Sequence, residues 1–287
     1  MSFSGVLHKY ASRRVAFEFN STPSKKVVVF IGGLGDGLLT VPYVPKLAQE
    51  LGSLGWSVIQ IQFTSSFKGW GLTSLDQDVS EIKELVDYLK STEGGSRERI
   101  VLFGHSTGSQ DTMHYLLKFG DTIDAGVLQA SVSDREFFGQ AVDKETWNRL
   151  NSKAKELVDK GQKDEILPLE YAKVMSETPV TAYRWCSLAL PGGDDDYFSS
   201  DIPDETLKTT FGRVKKPFLV AYSEQDQIVP AYVDKKKLLD RWQACSNTDF
   251  WSKNSGLVNG ANHQIEQVQS QDQLLSMVRE FLTEFQL

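Results

Sequence analysis

The chain is short of cysteine. Its 287 residues hold two, Cys186 and Cys245, far apart and outside any CxxC or Cys/His cluster. A disulfide framework and a structural zinc site are therefore not expected, and a reducing compartment fits. Positive charge is in deficit as well: 31 Lys and Arg against 38 Asp and Glu leave a net −7. Duplex nucleic acid, which needs a dense basic field, is therefore not expected as the main partner. No window approaches the roughly 20 apolar residues of a membrane span. The opening MSFSGVLHKYASRRVAFEF lacks the apolar stretch of a secretory signal, so a cytoplasmic protein is expected. Histidine is scarce too, limited to His8, His105, His114 and His263.

What is present suits a soluble globular enzyme: 40% hydrophobic residues at this length can fill one large core and still leave room for an insertion. GVLHKY and RVAFEF read as a strand hairpin turning at Ala11–Arg13. KKVVVFIGG, WSVIQIQF, RIVLF, AGVLQAS and PFLVAYS read as strands, the first as one buried on both faces, and a last strand is expected near DFWSKNS. Between them lie helical patterns: one opened by Pro42, one carrying the stripe Leu75, Val79, Ile82, Leu85, Val86 and Leu89, one from about Thr107 to Phe119, then YVDKKKLLDRWQA and a closing DQLLSMVREFLTEF. Alternation of this kind predicts an α/β fold, a mostly parallel sheet of about eight strands with helices on both faces. From Asp134 to Val214 the rhythm breaks into helical patterns without a buried strand. That stretch is expected to be a helical cap inserted after the sixth strand (residues 134–214), on a core built from 1–133 and 215–287.

Gly104–His105–Ser106–Thr107–Gly108 fits G-x-S-x-G, with an apolar strand directly before it and an apolar-periodic helix directly after. That context makes Ser106 a nucleophile on a strand-to-helix turn, where side chains at the two glycine positions would collide with the strained backbone. A serine hydroxyl needs a base. His8 sits in the hairpin, His105 must project elsewhere and His114 lies two turns along the helix. His263, in the polar loop VNGANHQIEQ, is left. Asp226, in FLVAYSEQDQIVP, is the favoured carboxylate to orient it, with Asp134 and Glu224 as rivals. The order Ser, Asp, His is the one α/β-hydrolases use. For the oxyanion, the N–H of Thr107 and one amide of the glycine-rich GGLGDG loop are expected, Leu34 before Gly33. That loop lacks G-x-G-x-x-G and G-K-[ST], so it is not a nucleotide cradle.

With these residues placed, the chain resembles the α/β-hydrolase superfamily over nearly its whole length. More narrowly, VVVFIGGLGDGLLTVPYVPKLA together with LFGHSTGSQD is similar to the fungal and plant DUF1749 family, which includes fusarinine C esterases of siderophore metabolism. The resemblance implies an intracellular serine esterase without metal or organic cofactor. Its substrate would be a small-molecule ester, such as one joining N5-anhydromevalonyl-N5-hydroxyornithine units, with the family's Ser, Asp and His carried over to Ser106, Asp226 and His263. Acyl transfer, thioester hydrolysis and a noncatalytic binding role on the same scaffold stand as alternatives. Two features of the cap bear on the substrate. The acidic run PGGDDDYFSSD (Asp194, Asp195, Asp196, Asp201) reads either as a rim attracting a cationic ester or as a solvated loop, and Trp147, Tyr171, Tyr183, Trp185, Tyr197 and Phe198 read either as an acyl pocket or as cap core.

Overall fold

The structure is a computed structural model that describes residues 2–19 and 24–287. Among the described residues eight strands form one sheet in the order β1-β2-β4-β3-β5-β6-β7-β8. β1 (Gly5–Ala11) and β2 (Arg14–Phe19) make the antiparallel hairpin at one edge, and β2 runs antiparallel to β4 (Trp56–Gln62). All other pairings, through β3 (Lys26–Ile31), β5 (Arg99–His105), β6 (Ala125–Gln129), β7 (Phe218–Ser223) and β8 (Gly256–Val258), are parallel.

The side-chain period of two explains why the central strands read as unbroken apolar runs. Val27, Val29 and Ile31 of β3 face a core completed by α2 (Leu75–Lys90), α3 (Thr107–Phe119) and α9 (Lys235–Cys245). Val28 and Phe30 point the other way, into a core closed by α1 (Val44–Ser53) and α10 (Val268–Glu284). α1 opens at Val44 with Pro45 as its second residue, and Pro42, expected to open it, lies before the N-cap Tyr43.

Between β6 and β7 run α4 (Asp134–Phe138), α5 (Lys144–Asp159), α6 (Leu169–Val174), α7 (Ala182–Ala189) and α8 (Asp204–Thr210). Residues of α4 to α7, with Trp70, bury a core of their own around Leu150, Tyr171 and Trp185. The last strand differs from expectation. DFWSKNS is not a strand; Trp251 makes one isolated bridge to Phe218 and packs on its ring at 5.4 Å, and β8 starts at Gly256. Among the described residues no helix is long and apolar enough to cross a membrane.

Candidate active site

Ser106 stands between β5 and α3 with φ 55° and ψ −126°, a conformation that side-chain-bearing residues rarely adopt. The neighbouring glycines show what allows it. A Cβ on Gly104 would lie 1.9 Å from the Gly108 carbonyl oxygen, and one on Gly108 would lie 2.3 Å from that of Ile31. The turn is also pinned from below, since the Ser106 N–H donates to Gln129 O at 3.0 Å and the Ser109 hydroxyl donates to the same oxygen at 3.0 Å.

Two further loops at the carboxyl ends of the strands reach this serine. Asp226 follows β7, and His263 lies between β8 and α10. The Ser106 hydroxyl is 2.9 Å from His263 Nε2, and His263 Nδ1 is 2.8 Å from Asp226 Oδ2. In the tautomer this pattern calls for, Nδ1–H donates to the carboxylate and Nε2 accepts from the hydroxyl. Backbone and amide bonds hold the two loops together. The His263 N–H donates to Gln227 Oε1 at 3.0 Å and the Gln225 N–H to Ala261 O at 2.8 Å. Lys235 Nζ donates to the Glu224 and Asp226 carbonyls at 2.7 and 3.1 Å, tying the acid loop to α9.

The rival acids sit elsewhere. Glu224 accepts the Gly260 N–H at 2.8 Å, and Asp134 accepts Gln110 Nε2 at 2.7 Å and, at 3.5 Å, the Thr107 hydroxyl. Of the other histidines, His8 pairs with Glu18 and His114 with Asp76 and Tyr197. His105 faces Gln129 Oε1 at 2.5 Å, its ring centre 5.0 Å from that of His263. Burial first, and the adjacent His263 second, push its pKa down to about 4, so it stays neutral at physiological pH.

The Gly33–Gly37 loop follows β3 and crosses in front of the turn. A Cβ on Gly33 would lie 2.6 Å from Ser106 Cβ, so the backbone passes where no side chain fits. The Gly33 N–H donates to Asp36 Oδ2 at 2.8 Å. Among the described residues the amides of Leu34 and Thr107 have no such acceptor, and Thr107, first in its helix, is one of the orphan donors every helix start leaves.

A cleft of about 610 Å³ opens over these groups. Its floor is Ser106, Thr107, His263 and Leu34, and its walls include Phe67, Trp70, Phe137 and Phe138. None of these four aromatics is singled out by the sequence, although glycines flank Trp70 in FKGWGL and REFF begins six residues after the end of β6. Of the cap aromatics weighed in the sequence, none lines the cleft: Trp147, Tyr171 and Trp185 pack together in the helical core, while Tyr197 and Phe198 pack toward Trp242 on the sheet side. The acidic run is no rim either. Asp195 is buried and accepts Arg184 Nη1 at 2.7 Å, Asp196 and Asp201 bind Arg135, and Asp194 binds the Tyr183 hydroxyl.

The family model described as "Protein of unknown function (DUF1749)" matches residues 1–283. The UPF0613 protein PB24D3.06c of Schizosaccharomyces pombe is 37% identical over 305 residues, covering 98% of this chain and 96% of that one. Fusarinine C esterase sidJ of Aspergillus fumigatus is 35% identical over 338 residues, covering 97% of this chain and 95% of its own. Among solved structures, the siderophore hydrolase EstB from Aspergillus fumigatus superposes with a TM-score of 0.84 at 34% identity, covering 99% of this chain and 98% of its own.

Proposed function

The chain belongs to the DUF1749 family, and from that premise we propose that it is a serine hydrolase of carboxylic esters in which Ser106, His263 and Asp226 act as nucleophile, base and orienting acid. The observation that carries this reading is the unbroken line of hydrogen bonds, 2.9 and 2.8 Å, from hydroxyl to imidazole to carboxylate at the bottom of a cleft.

The chemistry follows from that line. His263 Nε2 takes the hydroxyl proton as Ser106 Oγ bonds to the ester carbonyl carbon, and the carbonyl electron pair moves onto oxygen. Asp226 holds the ring in register and stabilises the imidazolium without itself taking the proton. The amides of Leu34 and Thr107 are the donors for the oxyanion; Gly33, its own amide committed to Asp36, serves by letting the backbone pass close to Ser106. Collapse of the intermediate breaks the bond to the alcohol, which leaves with the proton from Nε2. Water, deprotonated by the same nitrogen, then attacks the acyl-enzyme and releases the acid.

Residues 134–214 act as the cap over this cleft in our reading, supported by Phe137, Phe138, Ser176 and Thr178 in its wall. For the substrate, the names of the relatives favour esters of the siderophore type, beginning with ferric hydroxamate esters. The test is covalent labelling with a fluorophosphonate probe, followed by a panel of p-nitrophenyl and ferric hydroxamate esters. The wild type should label and hydrolyse, while Ser106→Ala should do neither. An unlabelled wild type would leave a binding protein on a hydrolase scaffold.

A further inference from the structure

The cleft does not end at its aromatic wall. A second hollow of about 420 Å³ lies against Phe137 and Phe138, and these two residues, Ser176 and Gln227 line both spaces. Two spaces that share four wall residues form one trough with a ridge across it, the ridge being the tilted ring pair Phe137–Phe138 with centres 5.0 Å apart. The first space alone matches a drug-sized ligand. The second is surplus for a small ester.

The wall common to both is built at a cost. Ser176 and Glu177 both have positive φ, 51° and 57°, and neither is glycine. Two successive left-handed residues store strain, which persists only where the surroundings hold it. Here Thr178 N–H donates to Met175 O at 3.0 Å and Lys68 Nζ to Glu177 O at 2.8 Å.

The two spaces also differ in charge. The near one carries both signs, the buried carboxyl of Asp134 and the ammonium of Lys68, the latter held on Glu177 O at 2.8 Å. The far one adds Gln140, Ala141, Lys173 and Val174 and contains no carboxylate. Lys173 is exposed on α6, and the acid on its own helix, Glu170, is spent on Arg149 at 2.9 Å. Among the described residues nothing lies within ion-pair distance of the Lys173 ammonium. Gln227, whose Oε1 is occupied by the His263 N–H, has its NH₂ left to give, and Ser176 lines the same hollow. A hollow with a free cation, donors and no acid is suited to an anion.

We propose that the hollow beyond Phe137 and Phe138 is a second subsite of the same cleft, taking the far end of a long ester whose terminal carboxylate is held by Lys173. The proposal rests on the esterase reading of Ser106, and its test separates the two. One substrate series carries the charge on the acyl side: p-nitrophenyl monoesters of dicarboxylic acids from adipic to sebacic, each against the methyl-ended ester of equal length. A second carries it on the alcohol side: acetyl esters of ω-hydroxy acids against acetyl esters of the matching alcohols, followed by pH-stat. The quantity read is the ratio of kcat/KM, charged over neutral, in the wild type, Lys173→Glu and Ala141→Trp.

In one of the two series, and at its best chain length, Lys173→Glu should lower the ratio by about fivefold to tenfold, the scale of exchanging an exposed attraction for a repulsion. Raising the salt to about 1 M should erase most of that difference. Ala141→Trp, which fills the hollow, should lower it as well and shift the optimum to shorter esters. A ratio that stays at the wild-type value in Lys173→Glu, at every length in both series and at low salt, overturns the subsite while leaving the esterase standing. A wild type that hydrolyses none of the esters and takes no fluorophosphonate overturns the reading on which the subsite rests.

Discussion

Two buried acid–base assemblies flank Thr107, and they are built on opposite plans. On one side, Ser106, His263 and Asp226 lie in a row, each meeting the next through a single bond, with the cleft at one end. On the other, Asp78, Asp111, Asp134 and Asp195 crowd around one fully buried guanidinium, that of Arg184. Arg184 makes its direct ion pair with Asp195 and donates Nε to Trp70 O at 3.0 Å, while its Nη2, Asp111 Oδ1 and Asp195 Oδ1 have no partner. A chamber of about 20 Å³, enough for one water, is lined by Asp78, Asp111, Arg184, Leu34 and Thr107. One cation cannot balance four carboxylates. Burial first, and the neighbouring charges after it, therefore push Asp78 and Asp134 up to about 7 and Asp111 well above the ordinary carboxylate range. The comparison shows that displaced ionisation marks crowding as readily as chemistry, and that the groups proposed to react are those aligned and open to the cleft.

The widest separation between the two assemblies should come from single substitutions in the row. His263→Ala is expected to lower kcat on a p-nitrophenyl ester by about 10⁶ and Asp226→Asn by about 10⁴. The urea midpoint of Asp226→Asn should stay close to wild type, because the amide leaves no charge behind, whereas His263→Ala takes the imidazole from the buried Asp226 carboxylate and should lower it. A variant that keeps a hundredth of the activity would break the assignment of that residue.

The crowded assembly should respond the other way round. Arg184→Met leaves Asp195 buried without its counter-ion, a loss on the order of 3–5 kcal/mol in unfolding free energy. Arg184→Met/Asp195→Leu removes both charges and should recover much of that loss. If the double variant is as unstable as the sum of its singles, the pair is not the structural clamp described here.

The same contrast explains what could be read in the sequence. Strand alternation, the glycines about Ser106 and the spacing of the polar loops are local signals; the mostly parallel eight-stranded sheet agrees with the first, and the second and third are the signals that single out Ser106, Asp226 and His263, whose side chains lie 2.9 and 2.8 Å apart in sequence of contact. Asp195 carries no local signal. In a run of three aspartates it reads as surface, and only the arrival of Arg184 from α7 makes burial tolerable. Trp251 misleads for a similar reason, because its apolar neighbourhood serves packing on Phe218 while the three-residue β8 has too little pattern to be seen. The cleft walls were missed because Trp70 and Phe138 come from separate stretches and meet only in the fold, their rings stacked at 6.4 Å.

The smallest effect is the most specific to the crowded assembly. A carboxyl whose pKa is raised in the folded state holds a proton that the unfolded chain, titrating near 3.9, has already released. Between about pH 4 and 7 the folded protein therefore binds more protons than the unfolded one, and stability falls as pH rises through that window, the full cost being present above it. Asp111→Asn keeps the shape, removes one of these acids and relieves the repulsion on Asp78. Its melting temperature should fall less than that of the wild type between pH 5 and pH 8. For a chain of this size, each kcal/mol of that difference should appear as roughly 2–4 °C. Because every other titrating group is common to both proteins, subtracting the two Tm curves isolates the cluster. Parallel curves would mean that Asp111 is already ionised at neutral pH, with a cation or water beside it that the Arg184 geometry does not supply.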